Sequence, residues 1–186
     1  MGTDFGILGP LQVRRSEEPL DLGSLRQRGL LARLIVWAGQ PTSTDRLLDE
    51  LWPDEAPRKS RHTLHVYVSR VRAILGDERE RLESDPTGYR LRIAPNELDA
   101  TRFERAATDG RAALAGGATG EAAARLGEAL GYWRGPALVE FADEEFAMAE
   151  AARLDQLRLA TLEERIRAEM ELGRHAALVD ELRSLT

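Results

Sequence analysis

Apolar positions along this chain change period several times, and each change marks an element. Phe5-Gly6-Ile7-Leu8-Gly9 is short and apolar, Gly9-Pro10 signals a turn, and Leu11-Gln12-Val13 resumes alternation. Glu17-Glu18-Pro19 reads as a second turn before Leu20-Asp21-Leu22, so a small antiparallel sheet is expected at the N-terminus. The spacing then lengthens to that of a helix. Leu30, Leu31, Leu34, Ile35 and Ala38 make one stripe, predicting a helix over 25–38 that Gly39 and Pro41 end. Ser43 or Thr44 can cap the next helix, whose apolar face is Leu47, Leu48, Leu51 and Trp52 and which Pro53 stops. After the loop Asp54-Glu55-Ala56-Pro57, a third helix runs from about Arg58 to Leu75 with Leu64, Val68, Val71 and Leu75 inward and Gly76 as its cap. Leu82-Glu83-Ser84, Asp85-Pro86-Thr87-Gly88 and Tyr89 to Ile93 read as a hairpin.

Pro95-Asn96 marks a domain boundary, and strand patterning stops beyond Leu98. Helices are expected over about 99–115, 119–133, 143–172 and 174–185, broken by Gly116-Gly117, by the bend Trp133-Arg134-Gly135-Pro136 and by Gly173, with Asp143 capping the third. Alanine-rich helix pairs with short turns suggest tetratricopeptide-like packing, although the period is too irregular to define repeats. The expected architecture is an α+β winged helix-turn-helix domain over 1–95, followed by an all-α tetratricopeptide-like domain over 96–186. Ala177, Leu178, Leu182 and Leu185 on the last helix require an apolar neighbour, which reads as truncation of a longer protein at its C-terminus.

Charge sharpens this division. The 186 residues carry a net charge of -6, which by itself argues against nucleic acid. Residues 1–95 hold 15 Lys and Arg against 14 Asp and Glu, a net of +1, whereas residues 96–186 hold 11 against 18, a net of -7. The two halves therefore suit different partners. The same asymmetry offers a third reading, in which the acidic second half autoinhibits the first by covering its basic face. Cysteine is absent, which excludes disulfides and thiolate metal sites and is compatible with a reducing cytoplasm, the expected compartment. No apolar run approaches the roughly 18 residues of a membrane span, and the N-terminus has no basic-then-apolar signal pattern.

The third helix carries the main chemical signal. Between Ala56 and Gly76 there is no carboxylate, yet Arg58, Lys59, Arg61, Arg70 and Arg72 are all present. Exposed helices of acidic proteins ordinarily interleave both signs, so a face free of carboxylates fits a helix that approaches phosphates. Arg58, Lys59, Arg61 and Arg72 are candidate phosphate contacts. His62, His65, Val66, Ser69 and Arg70, with Thr63, are candidates for base edges in the major groove. The short helix before it completes a helix-turn-helix. The hairpin after it carries Arg79, Arg81, Arg90 and Arg92 and can act as a wing against the backbone, with Thr87, Tyr89 and Arg90 as candidate contacts.

Several runs resemble the Streptomyces antibiotic regulatory protein family, in that family's order. They are Phe5 to Leu11, Gln27 to Leu31, Asp45 to Trp52, Thr63 to Arg72 and Gly88 to Leu91. In the second half, Leu98 to Phe103, Trp133 to Leu138 and Leu154 to Arg158 are similar to its bacterial transcriptional activation domain. The resemblance implies an OmpR-type winged helix and a tetratricopeptide-like activation domain. It implies binding to direct repeats in double-stranded DNA as a dimer or tandem protomers, recruitment of RNA polymerase holoenzyme, and activation of antibiotic-biosynthesis genes. Two departures stand out. Leu25-Arg26 replaces a common Pro-Lys, and His62 and His65 stand where amide side chains are usual, which implies an altered operator.

Other signals carry less. Gly116-Gly117-Ala118-Thr119-Gly120 lacks the Gly-Lys-Ser/Thr of a phosphate loop. His62, His65 and His175 do not cluster with carboxylates at metal-ligand spacing, Asp143-Glu144-Glu145 reads as helix-start carboxylates, and no Ser, His and Asp set has a nucleophile context. Trp37, Trp52 and Trp133 read as core anchors. No enzyme, cofactor or metal site is expected. The competing function is a helical-repeat adaptor whose winged helix binds protein; the carboxylate-free face separates the two readings.

Overall fold

The computed structural model describes residues 2–53 and 59–174. The N-terminal sheet comprises β1 (Thr3–Gly6), β2 (Gln12–Arg15) and β3 (Glu18–Pro19), antiparallel in that order. The third strand lies ahead of the expected Leu20 to Leu22. Ser16 and Glu17 both take positive φ, 49° and 72°, and close a two-residue turn. Leu20 N–H still bonds the Val13 carbonyl at 2.9 Å, and Leu22 is buried.

Helix α1 (Leu25–Val36) is capped by Ser24, whose hydroxyl accepts from Gln27 N–H. It ends two residues before the expected Ala38, because Ala38 bonds back to Ile35 and Gly39 turns to donate to the Leu91 carbonyl at 2.8 Å. The pair β4 (Thr42–Ser43) leads into α2 (Thr44–Leu51), and Ser43 provides the cap, accepting from Arg46 N–H at 3.2 Å. Helix α3 (Ser60–Leu75) follows, then a 3-10 turn over Gly76–Arg81, β5 (Leu82–Ser84) and β6 (Gly88–Leu91). A second sheet runs β4-β6-β5. Gly88 is required there, since a Cβ would run into the Thr42 carbonyl across the ladder. Leu64, Val68, Val71 and Leu75 of α3 pack with Leu30, Leu31, Leu34, Ile35 and Leu47 in the core.

The second half is helical: α4 (Asp99–Ala115), α5 (Thr119–Leu130), a 3-10 turn over Val139–Phe141, and α6 (Glu145–Glu171). The second helix ends three residues short of the expected 133. Helix α6 starts after Glu144, not Asp143, and no side chain caps it. The last expected helix, 174–185, lies outside the described residues apart from Arg174. Small residues let α4 and α5 approach closely; a Cβ on Gly110 would sit 2.7 Å from the Leu126 side chain.

The two halves share one apolar core. Phe5 N–H bonds the Glu97 carbonyl at 2.7 Å, and the segment after α5 returns to the N-terminal strand region, with Arg134 N–H on Leu8 and Leu138 N–H on Ile7. Buried Asp99 organises the seam. Its carboxylate accepts from Ile7 N–H at 2.9 Å, Leu8 N–H at 3.1 Å and the Arg134 guanidinium at 3.1 Å. Arg33 of α1 is only 2% exposed. It pairs with Glu50 of α2 at 3.2 Å and with Glu144 at the start of α6, and stacks on Phe146. Of the three tryptophans, Trp52 is buried, stacked on Tyr67, while Trp37 and Trp133 are half-buried under Arg46 and Arg158.

Candidate nucleic-acid interface

At 100° per residue, the buried stripe of α3 places His62, Val66, Ser69 and Ala73 on the opposite side, flanked by Lys59 and Arg70. All are exposed except Val66, which is half-buried. The helical half packs on β1 and α1 instead, so it leaves this face open among the described residues. Arg58 lies outside the described residues. Ala73 is an outer-face position that attention to polar residue types passed over; its spacing of four from Ser69 was the available signal.

The other flank of α3 turns toward the wing. His65 is exposed with its ring edge-on to Tyr89, centroids 6.5 Å apart. Arg72, expected on phosphates, is committed to the wing: Nε and Nη2 donate to the Leu82 carbonyl at 3.0 and 2.7 Å, and Nη2 reaches Ser84 Oγ at 3.2 Å. Arg61 meets Asp45 of α2 at 2.5 Å, an exposed pair that phosphate can displace at little cost. The Thr63 hydroxyl donates to the Lys59 carbonyl at 3.1 Å, within its own helix.

The wing differs from a cationic loop. Asp85 Oδ1 accepts from Thr87 Oγ1 at 2.5 Å, Thr87 N–H at 2.7 Å and Gly88 N–H at 3.0 Å. Those bonds, the hydroxyl's above all, hold the Asp85 carboxyl below the usual aspartate range. Thr87's hydroxyl is therefore already engaged. Tyr89, expected as a contact, is only 6% exposed and fills the wing's base; burial pushes its phenol up. Arg90 is half-buried in β6. Arg79 and Arg81, expected with the hairpin, belong to the preceding 3-10 turn. Arg81 is drawn into a pair with Glu97 at 2.8 Å and Glu78 at 3.2 Å, and Arg92 pairs with Glu83 at 2.7 Å. The Arg81 guanidinium holds the Glu97 carboxyl below its usual range.

Arg15 of β2 also shapes the interface, and sequence pattern alone did not single it out. Its Nη2 donates to the Ile74 and Leu75 carbonyls at 3.0 and 2.6 Å, capping the C-terminus of α3 with a cation that its dipole favours. No group of three or more candidate metal ligands occurs among the described residues, and no described helix is long and apolar enough to cross a membrane.

These features define a winged helix-turn-helix joined to a helical unit. Residues 17–91 match the family model described as transcriptional regulatory protein, C terminal, and residues 98–186 match the bacterial transcriptional activator domain. The chain is 37% identical over 187 residues to the transcriptional regulatory protein EmbR of Mycobacterium tuberculosis, covering 98% of this chain and 48% of that protein. It is 33% identical to the regulatory protein DnrI of Streptomyces peucetius, covering 98% of this chain and 70% of DnrI. It is 34% identical to the regulatory protein AfsR of Streptomyces griseus, covering 98% of this chain and 18% of AfsR. A solved structure of M. tuberculosis EmbR, in complex with a low affinity phosphopeptide, superposes with a TM-score of 0.91 at 36% identity, over 99% of this chain and 50% of that one. The chain belongs to the Streptomyces antibiotic regulatory protein family of transcriptional activators. It spans about half the length of EmbR.

Proposed function

We propose that this chain is a cytoplasmic, sequence-specific DNA-binding activator that recognises direct repeats at promoters and recruits RNA polymerase holoenzyme. Its targets would be genes of secondary-metabolite, antibiotic-type biosynthesis. The observation that carries the reading is the outer face of α3: exposed, free of carboxylates and set beside a wing. Residues 1–95 are the DNA-binding unit in this account, and residues 96–186 the part that meets the transcription machinery.

The contacts divide by what each side chain is free to do. Lys59 and Arg70 approach from one flank, while His62, Val66 and Ser69 face base edges, with His65 between them and the wing. Arg61 joins the phosphate contacts by exchanging Asp45 for DNA. Arg72, Thr87 and Tyr89 act through the shape of the wing. Two protomers occupy adjacent repeats, as a dimer or in tandem, since one helix reads only a few base pairs.

Selection of bound duplexes from a random pool by the whole chain tests this reading. A motif repeated in the same orientation at about one helical turn, roughly 10–10.5 base pairs, is the expected product. Recovery of no motif would overturn sequence-specific recognition.

A further inference from the structure

A groove runs beside the outer face of α3, along the 3-10 turn and the wing. One end is lined by Ser69, Arg72, Ala73, Asp77, Arg79 and Glu80. The other is a concavity of about 600 Å³ bordered by Arg72, Arg79, Arg90 and Arg92. Arg72, Arg79 and Glu80 belong to both ends, so the groove is continuous from the outer side of α3 to the wing.

The four arginines are not equivalent. Arg72 is spent on the Leu82 carbonyl and Ser84, and Arg92 on Glu83. Arg79 and Arg90 form no side-chain hydrogen bond or ion pair among the described residues. Arg79 is exposed, and Arg90 Nε is shielded from water without a partner. Three carboxylates share the concavity. Glu83 is neutralised by Arg92, and Asp85 is bound to Thr87 and Gly88, although it feels the charge of Arg90. Glu80 alone of the three has neither a cation nor a hydrogen-bond donor on its side chain among the described residues. Four guanidinium groups against three carboxylates leave the concavity net positive, and an unpaired guanidinium on each wall fits an anion that spans the walls. The paired N–H donors of a guanidinium match the oxygens of a phosphodiester.

We propose that Arg79 and Arg90 grip one backbone phosphate of bound duplex DNA in the groove between the 3-10 turn and the wing. This rests on the DNA-binding reading above. The acidic, internally bonded tip at Asp85 would then stay out of the contact. The base of the wing, not its end, would meet the backbone.

A phosphate contact is indifferent to sequence, so the probe is a random-sequence duplex, titrated with the whole chain between about 50 and about 200 mM salt. Arg79→Ala should weaken binding several-fold and reduce the slope of log affinity against log salt by about one. Arg90→Lys keeps a charge but loses the fork, and should weaken binding by less than Arg79→Ala. Glu80→Gln should tighten binding. Arg125→Ala, on the exposed face of α5 among glutamates of its own helix, should change nothing. An Arg79→Ala slope and affinity equal to the parent's would overturn the grip while DNA binding itself stood. Absence of salt-sensitive binding by the parent chain would instead remove the DNA reading and the grip together.

Discussion

Arg70 is the cation whose role the geometry isolates most cleanly. It is exposed, has no ion pair among the described residues and sits at the edge of the outward face of α3. Arg70→Ala should lower affinity for a selected site by about 1–3 kcal/mol if the side chain reads a base, with specificity relaxed at one position. Competition binding against single-base variants of the site measures both. Glu97 gives a residue-scale test of stability. Its carboxyl is depressed by the Arg81 hydrogen bond, so it contributes stability fully present above the usual glutamate value. That contribution is lost as pH falls through the lower, folded-state value. Glu97→Gln should cost about 1 kcal/mol near neutrality, allowing for partial exposure, and the difference from the parent should shrink toward pH 3. Urea melts at both pH values check this; a difference that grows in acid would contradict the assignment.

Elements were legible where a period and a stop signal agreed. Helix α3 could be read because its apolar residues recur over four turns and Gly76, at φ +56°, ends it. The turn between β2 and β3 was legible but placed late, at Glu17 to Pro19, because Ser16 and Glu17 adopt left-handed backbone without the glycine or asparagine that usually marks the position. The wing was legible as a hairpin, but its chemistry was not. Sequence supplies the count of arginines; only the fold reveals that Arg72, Arg81 and Arg92 are bound to groups nearby. The hairpin depends on Gly88, where a side chain would meet Thr42 backbone. Gly88→Ala should destabilise the fold by about 2 kcal/mol and loosen β4 from β6. Calorimetry and amide exchange of Thr42, Ser43 and Tyr89 report the two effects.

Across the whole molecule, net charge conceals a basic face. The -6 overall resolves into a near-neutral winged helix and an acidic helical half, and the helical half is attached behind α1 rather than over α3. Asp99 is central to that attachment, and its role was hidden because its partners are backbone groups more than ninety residues earlier in the chain. Asp99→Ala would leave the Ile7 and Leu8 amides unsatisfied and Arg134 without its carboxylate. It should cost about 3 kcal/mol, read as a lowered midpoint in denaturant with one cooperative transition. Two separated transitions would mean that the halves fold independently of this seam.

The proposed DNA binding rests on the outer face of α3. The most direct test compares the parent chain with a Lys59→Ala, Arg70→Ala double variant on the selected duplex, each at several salt concentrations, after equal melting temperatures have been verified. The predicted result is an affinity loss of about tenfold or more with a shallower salt slope. Equal affinity and equal slope would contradict the claim that this helix is the surface that binds DNA.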